Sequence, residues 1–168
     1  ELAEEDILSL ARRVASEESR RNVFVRAERT VAMPGNGSST TLFYGLTGKA
    51  RRAGAEFGEA AQAFCKALPD LFFYDTNKRS KGYETVDLWL NDEIRRGSLF
   101  QNIARLGRAM AERAEKMVTV CQELVGYLED IEGAAVIQRE IASIAMEMKE
   151  IIQNVEVICT QCPERYVY

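Results

Sequence analysis

Apolar side chains recur along this chain at alternating three- and four-residue gaps, the period of one face of an α-helix. The longest such stripe runs through Leu99, Ile103, Leu106, Met110, Ala114, Met117, Cys121, Leu124, Leu128 and Ile131. Arg105, Arg108, Glu112, Arg113, Glu115, Lys116 and Glu123 fill positions between, so one face is apolar and the others charged. Gly97-Ser98 offers a start, because a serine hydroxyl caps free helix amides. A second stripe joins Ile137, Ile141, Ile144, Met148, Ile151, Val155, Ile158 and Cys162, widened by Ala145, Ile152 and Cys159. A face that wide needs more than one neighbour to cover it. Only Glu132-Gly133 separates the two stripes. A turn so short joins antiparallel neighbours. Residues 98–131 and 134–158 are therefore expected to form a helical hairpin at the centre of the core.

Three weaker helical segments accompany it. Residues 46–71 carry Leu46, Ala50, Ala53, Phe57, Ala60, Phe64, Leu68 and Leu71 on one face, with Gly54 and Gly58 allowing close approach of a neighbour. Pro69 is expected to end or kink this helix. In residues 2–31, Ile7, Leu10, Val14, Phe24, Ala27 and Val31 share a face that Glu17 and Arg21 interrupt. A short helix near 84–96 carries Val86, Trp89, Leu90 and Ile94. Residues 33–48 and 75–82 read as loops rich in turn formers. The expected fold is all-α: an antiparallel helical bundle of about five helices with a long C-terminal helical hairpin. It forms one domain over residues 1–168, which starts at Glu1 rather than Met and reads as a piece excised from a longer chain.

Composition supports a folded core and narrows the chemistry. With 46% hydrophobic and 29% charged residues, the balance is globular. No apolar run approaches the roughly 18 residues of a membrane span. Histidine is absent, which removes the usual proton-transfer group near neutral pH and the commonest metal ligand. Four cysteines are too few for a disulfide scaffold, and reduced core thiols imply an intracellular, cytoplasmic setting. Charge is unevenly spread: residues 7–113 hold 18 bases and 12 acids, residues 114–168 hold 4 and 10. Such polarity can orient self-assembly or select partners.

Individual motifs add little chemistry. Gly45-Leu46-Thr47-Gly48-Lys49 resembles part of a phosphate-binding loop. It lacks the first glycine, where Phe43 stands, and the magnesium-binding hydroxyl, where Ala50 stands. Cys159 and Cys162 have CxxC spacing, but no further ligands accompany them, and they close a helix instead of opening one. Asn36-Gly37-Ser38 is a formal glycosylation acceptor that reads more simply as a turn. Lys78, Arg79 and Lys81, with the pairs Arg51-Arg52 and Arg95-Arg96, are candidates for binding anions or lipid headgroups, against the plainer reading of a solvated surface. Leu42, Phe43 and Tyr44 are apolar within a polar loop. They are expected to fold back on the core or to meet a partner.

Length decides where self-association is expected. A helix over 98–131 is about 50 Å long, whereas 48–68 gives about 30 Å. The hairpin should then overhang its neighbour. Its tip would expose Leu124, Val125, Leu128, Ile131, Val136, Ile137 and Ile141, a patch that a second copy can cover as a homodimer. The leading functional expectation is a non-enzymatic assembly or protein-interaction module, with no catalytic, cofactor or metal residues. The alternative is a membrane-surface module. Lys49–Leu71 and Leu99–Ile131 resemble, in periodicity and over about a third of the chain, the long amphipathic helices of BAR-type domains. That resemblance implies dimers placing basic residues on anionic membranes. A nucleic-acid-associated structural protein is a minor alternative, because a net charge of −4 opposes binding to phosphate.

Overall fold

The helical periodicity is realised as four helices packed side by side, with no strand among the described residues. The computed structural model describes residues 17–32, 40–78 and 86–160, with side chains over 18–32, 42–67, 98 and 101–159. Helix α1 spans Glu17–Val31, α2 Thr40–Lys78, α3 Val86–Leu128 and α4 Ala135–Thr160. α3 packs along both α2 and α4, and α1 closes the ring against α2 and α4. Phe43 meets Tyr127 while Phe64 lies beside Gly107, so α2 and α3 run antiparallel. Arg26 meets Glu140 while Arg20 meets Glu147, so α1 and α4 do too.

The two strongest stripes form the core. Ile103, Met110, Ala114, Met117, Cys121, Leu124 and Leu128 of α3 are buried, and so are Ile137, Ile141, Ile144, Met148, Ile151, Val155 and Ile158 of α4. Leu106 is only partly buried, at the flank of the stripe. The hairpin between α3 and α4 follows the expected antiparallel turn, with α3 ending three residues early. Gly133 supplies the left-handed backbone there, at φ 80°. A side chain with a Cβ is strained in that region.

Four helices replace the five expected because one anticipated break is not a break. Gly97-Ser98 lies inside α3, so the 84–96 segment and the long stripe are one helix. One interior glycine costs only about 1 kcal/mol, less than opening a helix and freeing its backbone groups. α2 likewise runs through Pro69 to Lys78. It also starts at Thr40 rather than near residue 46, which turns Leu42–Gly48 from loop into helix. The reason is visible in Phe43, Ala50, Phe57 and Phe64. They repeat every seven residues and are all fully buried. A closer helix approach than that expected at Gly54 occurs on α3. A Cβ on Gly107 would stand 2.5 Å from the Cys159 sulfur and 3.2 Å from Phe64 and Val155, whereas one on Gly54 would meet Met117 at 3.8 Å.

The early start of α2 and the position of α1 remove the expected overhang. α2 reaches the hairpin tip, and α1 lays Val23, Phe24, Ala27 and Val31 into the same core. Leu124, Leu128, Ile137 and Ile141, expected at a self-association surface, are thus buried within the chain's own bundle; Val125 and Ile131 are half-buried.

Candidate functional site

The tip of the bundle is built by the turn between α3 and α4 and the first turns of α2. At the end of α3 the hydrogen bonding tightens. The Glu129 amide donates to the Gly126 carbonyl at 3.4 Å and the Ile131 amide to the Leu128 carbonyl at 3.1 Å. The Val125 carbonyl accepts instead from Gln138 Nε2 at 2.9 Å, so α4 caps α3. This brace presents Glu129, Asp130, Glu132 and Gly133 to solvent. Around it, apolar side chains point outward: Leu42 is 64% exposed, Tyr44 43% and Val136 62%. Phe43 between them is fully buried, its ring 5.0 Å from that of Tyr127. Of the three apolar residues expected to share one fate, one is therefore core and two are surface. Helix phase explains the split, since adjacent residues stand about 100° apart.

The second notable region is the seat of α1, which charge holds as much as apolar contact. Arg20 is buried, with Nη2 donating to Glu147 Oε1 at 2.7 Å and its guanidinium 5.7 Å from the centre of the Phe57 ring. That distance is within cation–π range. Arg26 Nη1 pairs with Glu140 Oε2 at 3.0 Å, more openly. On the other side of α1, Glu28 Oε1 accepts from the Thr47 hydroxyl and from Arg51 Nη2, both at 2.7 Å. Thr47 is fully buried, so this bond satisfies its hydroxyl. The α1–α4 seam therefore runs from arginine to glutamate, and the α1–α2 seam in the opposite sense. Part of the uneven charge along the chain is used inside it.

Among the described residues, cavities lie along these helices. Between α1 and α2, a space of about 50 Å³ is lined by Arg20, Arg21, Arg51, Gly54, Ala55, Phe57 and Met117. Between α2 and α3, an open groove of about 700 Å³ is lined by Lys49, Arg52, Glu56, Glu112, Glu115 and Lys116 among others. Its walls alternate in sign, with Lys49 3.9 Å from Glu123, and Arg113 donating to the Glu56 carbonyl at 2.9 Å.

The described thiols are poor nucleophiles. Burial pushes Cys65 up to about 11 and Cys121 up to about 12, the latter against the pull of Arg20. Burial also raises Cys159, against the pull of Arg108. All three stay protonated near neutral pH and are free. Cys162 lies outside the described residues.

Among the anion-binding candidates, Arg51 and Arg52 are exposed on α2 and line different cavities. Arg79 and Lys81 lie outside the described residues, as do the side chains of Lys78, Arg95 and Arg96. The charged residue that enters the core is Arg20, not Glu17 or Arg21, which interrupt the apolar face in the sequence. Stepping back four residues from Phe24 along Phe24, Ala27 and Val31 lands on Arg20, and that spacing was the available signal. Gly48 and Lys49 sit within α2, so no phosphate-binding loop forms there. No helix of the described residues is long and apolar enough to cross a membrane, and none of their acidic or cysteine side chains groups as a metal site. No protein family, curated protein or solved structure compared with the chain matches it.

Proposed function

We propose that this chain is a non-enzymatic helical interaction module that assembles with further copies of itself, the tip of one bundle docking on the far end of the next. The observation that carries this reading is the tip itself, where Leu42, Tyr44 and Val136 are exposed beside the acids Glu129, Asp130 and Glu132. Large apolar side chains gathered at one end of a small protein favour a covered surface. The acids argue against a two-fold tip-to-tip contact, because like charges would meet. They favour a partner that is apolar and basic. The end of α2 opposite the tip carries apolar residues and a base in its sequence: Leu71, Phe72, Phe73 and Tyr74 precede Lys78, with Asp75 between them. A head-to-tail contact of this kind is heterologous and builds rings or filaments.

Light scattering at rising concentration tests the proposal. The wild-type protein is expected to gain mass with concentration and lose it with added salt, since screening weakens the charge match. Val136→Glu combined with Leu42→Glu should hold it as a monomer, and so should Ser at Lys78, Arg79 and Lys81. A wild-type protein that stays monomeric at high micromolar concentration and low salt defeats the self-assembly reading.

A further inference from the structure

The cavity between α1 and α2 has a composition that neither interior packing nor solvation of a surface requires. Three of its lining side chains are arginines, contributed by consecutive residues of α1 and by α2: Arg20, Arg21 and Arg51. Arg20 is held rigidly, buried at 4% exposure with Glu147 on Nη2 and Phe57 beneath its guanidinium. Arg51 is oriented by Glu28, which takes its Nη2. Arg21 reaches the cavity from the solvent side. Glu147 and Glu28 thus fix the orientation of two of the three guanidiniums. Gly54 contributes no side chain to the wall.

We infer that this cavity is a binding site for a phosphomonoester-class oxyanion. Guanidinium groups present planar, paired N–H donors that match the oxygens of phosphate. Size sets the limit on the ligand. A single water needs about 10–15 Å³ by the same kind of measure, so about 50 Å³ admits a tetrahedral oxyanion but not a nucleobase or sugar ring. The phosphate group alone is inside, and whatever it is attached to projects past Arg21 into solvent. Because the site lies on the α1–α2 seam, its occupation also ties α1 to the bundle. Binding and stability are therefore linked.

The test uses the whole chain and inorganic phosphate, titrated by calorimetry and by thermal melting against chloride at matched ionic strength. Saturable binding and a phosphate-specific rise in Tm are expected. Arg21→Gln and Arg51→Gln should each weaken binding by about tenfold, the loss of one charge-assisted contact. Arg21 is exposed, so its variant keeps the fold where a change at Arg20 endangers it. Arg52→Gln, one residue away but on the α2–α3 groove, should leave binding unchanged. No saturable binding at millimolar phosphate overturns the inference, as does an Arg52→Gln variant that loses as much as Arg51→Gln. Sedimentation with phosphatidate vesicles, set beside phosphatidylcholine vesicles, separates the two sources. Phosphate-competed sedimentation assigns a lipid headgroup, and saturable phosphate binding without sedimentation assigns a free phosphate. Sedimentation that phosphate does not compete, with no phosphate binding, counts against the site.

Discussion

The α3–α4 hairpin and the seat of α1 bury neighbouring parts of one core by different means. Between α3 and α4 the contact is a continuous apolar stripe on each helix, with Gly107 letting the backbones close on Cys159. Around α1 four apolar side chains share the work with Arg20, Arg26 and Glu28, each paired to another helix. An apolar stripe specifies that two helices meet, but it tolerates sliding by a heptad. A charge placed at one level of the core has only one low-energy partner. The short α1 has few turns with which to define its register, and Arg20 opposite Glu147 defines it. The comparison thus separates adhesion from registration, and each should fail differently when mutated.

The largest effect is expected on the apolar side. Ile141 on α4 is fully buried. Ile141→Ala should lower unfolding free energy by about 2–5 kcal/mol, the range for truncation in packed cores. Urea denaturation checks this, and a loss below about 0.5 kcal/mol would mean that the residue faces solvent.

Glu147→Gln comes next and probes registration. It removes the charge opposite Arg20, whose side chain is only 5% exposed. Glu147 itself is 30% exposed, so the loss should be about 2 kcal/mol, below the roughly 3–5 kcal/mol for fully buried pairs. The double change Arg20→Met with Glu147→Leu should recover most of that stability, because paired desolvation is avoided. What it should not recover is the single position of α1. Amide exchange in residues 18–31 is expected to speed up relative to α3 even where global stability returns. Slow exchange there in the double variant would show that the apolar residues alone register the helix.

The same contrast explains what was legible in the sequence. α3 and α4 could be read position by position because their stripes are long and their residues, Ala, Met, Leu and Ile, suit buried helices. A glycine or a proline suggests a helix end or a kink, yet α2 and α3 continue through both. At Gly97 and Pro69 the local penalty, about 1 and 3 kcal/mol, is smaller than what the continuous packed helices on either side contribute. The polar neighbours of Phe43 suggest a loop, while its seven-residue spacing to Ala50, Phe57 and Phe64 is the signal of the helix that forms. Arg20 escaped because a charged residue in an apolar phase reads as an interruption. Only the position of Glu147, 127 residues away, turns it into a core contact. A pairing over that separation has no local sequence signature.

Gly107 and Gly54 sharpen the comparison at intermediate size. Both are helical, and alanine gains about 1 kcal/mol of propensity at either. At Gly54 the new methyl meets Met117 at an ordinary 3.8 Å, so Gly54→Ala should be neutral or stabilising. At Gly107 it would collide with Cys159 between Phe64 and Val155, leaving nowhere to move. Overpacking costs of about 1–3 kcal/mol then outweigh the propensity gain, for a net loss near 1 kcal/mol. Thermal melts of the two variants should shift in opposite directions.

The smallest effect is expected at Arg26 and Glu140, which repeat the chemistry of Arg20 and Glu147 two turns nearer the tip. Their contact is close, 3.0 Å, but the side chains are 51% and 36% exposed. Water solvates both partners once the pair opens, and salt screens them while it is closed. A double-mutant cycle with Arg26→Gln and Glu140→Gln should therefore give a coupling of about 0.5 kcal/mol, shrinking further in high salt. The cycle through Arg20→Gln and Glu147→Gln should give several times more and resist salt. Equal couplings at the two levels would mean that burial does not distinguish them. The registration of α1 would then have to be shared along the whole seam instead of residing at Arg20.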